Sequence, residues 1–173
     1  MKTKIVPAIV LGVILFCFDS SQAQQVIFLV RHGETVAPKG TDLRPLSEAG
    51  QRRAVFLAKL LKDSGINAIY TSDLERAVKT AEPLAESLRI EPKPLSQLNV
   101  SFKPNDIEDF VNRLRSEHRQ DVVLVVGHSN SVPALLKGLG YPAEVKIPET
   151  EFDNLFVLIP GNDGPPKLLR LRY

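Results

Sequence analysis

The chain has 173 residues, 43% of them hydrophobic, with 22 Lys and Arg against 20 Asp and Glu and a single cysteine. Setting aside Lys2, Lys4 and Asp19 in an amino-terminal leader leaves a near-neutral balance, which argues against a general nucleic-acid or polyanion binder. Cys17 also lies in that leader, so the mature chain has no disulfide and rests on its core; about 150 residues bury ~68–70% of the unfolded surface, enough for one domain.

In the leader, Lys2 and Lys4 precede an apolar run over 5–18, and Ser21-Gln22-Ala23 supplies small residues at the two positions a signal peptidase reads. The run is shorter than the ~20 residues of a transmembrane helix. Phe16 is bulky where a lipid-modified cysteine wants a small neighbour. The expectation is a cleavable signal over 1–23, cut near Ala23, and a single domain over 24–173. The mature protein is then secreted or periplasmic, without stable membrane insertion.

Val26-Ile27-Phe28-Leu29-Val30 is an apolar run that reads as a strand buried on both faces of a parallel sheet. It ends in Arg31-His32-Gly33, and a loop follows over 36–45. Ser47 reads as a helix cap, with Ala54, Leu57, Ala58, Leu60 and Leu61 at helical spacing until Asp63-Ser64-Gly65. Ala68-Ile69-Tyr70 is a short second strand, and Thr71-Ser72-Asp73 reads as a capping signal for a helix over 74–88, kinked or broken at Pro83. Two prolines in 91–98 make any strand there short or an edge. Residues 105–119 form an amphipathic helix with Ile107, Phe110, Val111 and Leu114 on one face; 122–126 is a second strongly buried strand and 132–139 a helix. Residues 154–159 and 168–171 form a terminal strand pair. The alternation predicts a three-layer α/β/α sandwich around a mostly parallel sheet.

Parallel sheets bind ligands at the carboxyl ends of their strands, where Arg31 and His32 fall. A guanidinium beside an imidazole suits a tetrahedral anion, although the tripeptide alone fits an ordinary strand end equally well. Val122-Val123-Leu124-Val125-Val126-Gly127-His128 repeats the theme, and Arg76 falls in the first turn of the helix after the second strand. If the strands are neighbours, two histidines and two arginines meet at one edge. His118, within Arg115-Ser116-Glu117-His118-Arg119, reads as part of a solvated face. Asn99-Val100-Ser101 matches a glycosylation sequon and reads as chance. No cluster has metal-ligand spacing, and no cofactor is implied.

Three segments in order carry a family resemblance: Leu29-Val30-Arg31-His32-Gly33-Glu34-Thr35, Tyr70-Thr71-Ser72-Asp73-Leu74-Glu75-Arg76-Ala77-Val78-Lys79-Thr80-Ala81-Glu82-Pro83, and Val126-Gly127-His128-Ser129-Asn130, with Leu46-Ser47-Glu48-Ala49-Gly50 resembling a helix start. The chain resembles the histidine phosphatase superfamily, also called phosphoglycerate-mutase-like. The resemblance implies that His32 attacks phosphorus and becomes a phosphohistidine, with one ring nitrogen held by a backbone carbonyl near Gly33. It implies that Arg31, Arg76 and His128 hold the phosphoryl oxygens, without a metal. Asn130 or Thr35 is a further substrate-binding candidate, and Glu34 is read as a structural neighbour.

One departure matters. The family's phosphomonoesterases and mutases usually carry a glutamate acid after the third strand, where this chain has Gln97 in Pro94-Leu95-Ser96-Gln97-Leu98-Asn99. Asp106, Glu108 and Glu34 are the substitutes considered. Lacking this acid, the chain resembles the short phosphohistidine phosphatases, and it suits leaving groups that need little protonation. The expected function is a metal-independent phosphatase acting on a phosphorylated small molecule or phosphoprotein. The alternative is a catalytically weak phosphate- or phospholigand-binding protein, and a phosphoglycerate mutase is the poorer fit.

Overall fold

A computed structural model describes residues 24–36, 44–161 and 164–173. The expected signal over 1–23 and most of the loop expected after the first strand lie outside the described residues. The strands are β1 (Val26–Arg31), β2 (Ala68–Ser72), β3 (Lys93–Leu95), β4 (Val122–Gly127), β5 (Asn154–Ile159) and β6 (Lys167–Arg172). The helices are α1 (Glu48–Leu61), α2 (Glu75–Leu88), α3 (Pro104–Glu117) and α4 (Ser131–Gly138). One sheet has the order β3-β2-β4-β1-β5-β6. Its first four strands are parallel, and β5 and β6 are added antiparallel.

The uninterrupted apolar runs of β1 and β4 follow from burial on both faces, because successive side chains alternate between them. Val30, Ile69, Leu124 and Val126 pack against Leu57 and Leu61 of α1 and Ala81 and Leu84 of α2. Ile27, Leu29, Val123 and Val125 pack against Phe110 and Leu114 of α3 and Leu135 of α4. This is the expected three-layer sandwich.

Several local readings shift. Ser47 caps α1 as expected, its side chain accepting from the Gly50 N–H, but Leu60 is exposed. Thr71 and Ser72 do not cap α2. They extend β2, and Leu74 precedes the helix without a side-chain cap. The α2 helix runs through Pro83 unbroken. His118 is a correction: it is buried, not solvated, with Nε2 2.8 Å from the Tyr70 hydroxyl and Nδ1 2.7 Å from Asp121 Oδ2. The charged residues around it concealed that its ring turns inward where α3 ends.

Candidate active site

Because β2, β4 and β1 are adjacent and parallel, their carboxyl ends share one sheet edge. Arg31 pairs in register with Gly127, so the next residues, His32 and His128, stand side by side. Their rings meet edge to face with centroids 5.1 Å apart. Arg31, His32 and His128 are only 5%, 6% and 2% exposed. Arg76 reaches the same point from the first turn of α2, its Nε donating to His32 Nε2 at 3.2 Å.

The His32 tautomer is defined from both sides. A carbonyl only accepts, so the Gly33 oxygen 2.7 Å away takes a proton from Nδ1. Nε2, which accepts from Arg76, then carries the lone pair. Gly33 is itself held by its N–H donating to Thr80 Oγ1 at 2.9 Å, while that hydroxyl donates to the Arg76 carbonyl at 2.7 Å. Thr80 thus ties the β1 loop to the turn that presents Arg76. The packing is close: a Cβ on Gly33 would lie 2.9 Å from the Gly50 carbonyl oxygen.

His128 Nε2 lies 2.9 Å from Ser72 Oγ at the end of β2, and Nδ1 is buried without a partner. Arg31 donates through Nη1 to the carbonyls of Pro148, Glu149 and Glu151 and through Nη2 to Glu149 Oε2 at 2.7 Å. Its guanidinium carbon lies 4.1 Å above the Phe152 ring, and its Nε is buried without a partner. The pocket therefore holds unpartnered buried polar groups that an anion's oxygens can satisfy. Burial, then the Arg44 and Arg31 charges, lower the Arg76 pKa, so Arg44 adds to the positive field.

Asn130, expected to bind substrate, is not brought into the cluster. Its amide donates to the Val100 carbonyl at 2.7 Å. Thr35 joins Leu46 in an isolated antiparallel bridge. Of the carboxylates considered as acids, Glu34 is held by Arg53 Nε and Nη2, and Asp106 accepts from the Lys103 N–H at the start of α3. Glu108 is exposed on α3, and Gln97 lies in a 3-10 turn just after β3. Sequence reading missed Glu149, Ser129, Phe152, Ser72 and Thr80 as members of the site. Ser72 and Thr80 lie inside a family-like segment, but Glu149 has no local signal. Among the described residues, no group of three His, Cys, Asp or Glu has a metal-holding arrangement.

Burial pushes His32 down to about 4 and His128 to about 3, with neighbouring positive charges adding to the shift, so both are neutral at pH 7. Unfolding returns each toward its ordinary 6.5, so below that pH the unfolded chain binds protons the folded chain does not. Stability is therefore expected to fall as pH drops from 6.5, and to level off only near each folded-state value. The loss between pH 6.5 and 5 is up to about 3 kcal/mol for the pair. Urea titrations across that window check it; an unchanged midpoint would remove the neutral buried pair.

Residues 27–99 match the model of the histidine phosphatase superfamily (branch 1), and the resemblance read from the motifs is borne out there. A probable phosphoglycerate mutase GpmB of Yersinia enterocolitica is 39% identical over 82 residues, 43% of this chain and 38% of that protein. Another probable GpmB, from Yersinia pestis, is 31% identical over 106 residues, 56% of this chain and 49% of its own length. The matches thus span less than half of these curated relatives. Among solved structures, the protein histidine phosphatase SixA complexed with tungstate superposes with a TM-score of 0.70 at 22% identity, over 85% of this chain and 96% of that one. A mycobacterial glucosyl-3-phosphoglycerate phosphatase gives 0.65 at 17% identity, over 86% and 97%. These likenesses establish the fold.

Proposed function

We propose that this chain, which carries the histidine phosphatase superfamily pattern over residues 27–99 in that superfamily's fold, is a metal-independent phosphatase working through a phosphohistidine on His32. The observation that carries the reading is the defined tautomer: Nδ1–H donates to the Gly33 carbonyl, and the Nε2 lone pair faces Arg76. An incoming phosphoryl group takes over the Arg76 guanidinium and meets the freed lone pair. His32 Nε2 bonds to phosphorus as the leaving-group bond breaks, and water then releases phosphate. With the Ser72 hydroxyl donating to Nε2, His128 carries its proton on Nδ1 and offers it to a phosphoryl oxygen. The buried Nε of Arg31 offers another donor. Because His32 protonates only near pH 4, the nucleophile is ready across the neutral range.

Gln97 at the acid's position, with Glu34 and Asp106 engaged elsewhere, favours substrates whose leaving group departs without a protein acid: phosphohistidine or other N-phosphoryl groups, and aryl phosphates. The likeness to SixA, a protein histidine phosphatase, supports this class, whereas a mutase reading borrows from relatives matched over less than half their length. The test compares residues 24–173 on a phosphohistidine peptide, an aryl phosphate and a sugar phosphate without added metal. The first two are expected to exceed the third by about 10²-fold or more, the size of a missing acid's contribution. Equal rates on all three would refute the acid-free reading. Phosphate binding without turnover would favour the binding-protein alternative.

A further inference from the structure

Building on the phosphatase reading, we propose that the Glu149 carboxylate is the base that activates water for hydrolysis of the phosphohistidine. Glu149 lies on the segment entering β5 and joins residues adjacent in sequence to the two histidines. Oε2 accepts from Arg31 Nη2 at 2.7 Å, and Oε1 accepts from the Ser129 hydroxyl at 2.6 Å. Three residues on, the Phe152 ring centroid lies 6.0 Å from that of His32, so this segment flanks the nucleophile.

Its backbone is anchored from both sides. Arg31 binds the carbonyls of Pro148, Glu149 and Glu151, while Asn154, Arg170 and Arg172 hold the Glu151 carboxylate. The Glu149 side chain is nonetheless 78% exposed, whereas Arg31, His32 and His128 are buried. It is a carboxylate on the exposed side of the cluster. The Ser129 hydrogen bond, followed by Arg31, holds its pKa below the ordinary carboxylate range, so it is ionised at neutral pH.

In the step assigned to it, water oxygen bonds to phosphorus as the P–N bond to His32 Nε2 breaks. That electron pair returns to the ring nitrogen and the water's proton passes to Glu149. Rapid-quench kinetics with an aryl phosphate test this on the full chain. In Glu149→Gln, phosphoenzyme formation is expected to stay within about threefold of wild type while steady-state turnover falls about 10²-fold, the lower end of general-base effects. Acid-labile phosphoenzyme then accumulates toward stoichiometry, and formate partly restores turnover in Glu149→Ala. Formation and breakdown falling together, without accumulation, would make Glu149 only a partner for Arg31 and overturn the proposal, as would unchanged turnover. If neither wild type nor Glu149→Gln forms phosphoenzyme and His32→Ala remains active, the reading of a phosphohistidine on His32 itself fails.

Discussion

Replacing His32 by alanine is expected to lower turnover by about 10⁴-fold or more and to abolish phosphoenzyme, because the remaining groups position a phosphate but offer no replacement at its nucleophilic atom. His128 is an imperfect substitute. Its Nε2 lies against Ser72 and its ring is edge-on to His32 rather than parallel. Loss of the ring also leaves Arg76 Nε without the acceptor it has in the intact site. Phosphate affinity therefore reports whether the pocket survives, separately from turnover. The measurement is quenched-flow labelling with an aryl phosphate beside phosphate titration. A variant that keeps turnover within tenfold of wild type and still labels covalently would move the nucleophile to another side chain.

Gly50→Ala is the second large expected effect, and two principles give it opposite signs. Gly50 lies in the first turn of α1, where alanine is favoured over glycine by up to about 1 kcal/mol. Packing points the other way: a Cβ there would lie 2.2 Å from the Glu34 carbonyl oxygen and 2.9 Å from the Glu34 nitrogen. Those are backbone atoms, unable to rotate aside as a side-chain tip can. Gly33 faces Gly50 across the same contact, and its carbonyl holds His32 Nδ1. An overpacking cost of about 3 kcal/mol, the upper part of the usual range, is therefore expected to win, leaving a net loss of about 2 kcal/mol after the propensity gain. For a chain of this size that lowers the melting temperature by about 4–8 °C. Turnover should fall by about 10²-fold as His32 shifts by a fraction of an ångström to an ångström. Calorimetry and steady-state rates on one preparation check both. A raised melting temperature would mean that propensity wins and the Gly33–Gly50 approach is looser than described.

Both results turn on how residues far apart in the chain meet, and that divides what was legible from what was not. Residue order alone showed the two doubly buried strands, because an unbroken apolar run has few other places in an α/β protein. It also put Arg31, His32 and His128 at strand carboxyl ends and Arg76 in the turn after one, to meet at one edge if the strands are neighbours; the sheet order made them so. Local patterns failed where a side chain had a competing partner. Ser72 looked like a cap, but its hydroxyl lies against a histidine 56 residues away. Asn130 sat beside the motif, yet its amide serves the Val100 carbonyl. His118 stood among charges but turned inward to Tyr70.

The acid–base groups mark the limit most clearly. Four positions bear on the missing acid: Gln97 by its place after the third strand, and Asp106, Glu108 and Glu34 as carboxylates of the motif and of α3. A contact across 19 residues engages Glu34 with Arg53, and the local cap of α3 engages Asp106 with the Lys103 N–H. Tertiary contacts bring Glu149 to Arg31 across 118 residues of chain. Hydrophobic period and strand-end position are properties of a short window, so order alone reveals them. Which carboxylate meets which guanidinium depends on how β5 returns antiparallel beside β1, and no window along the chain contains that contact.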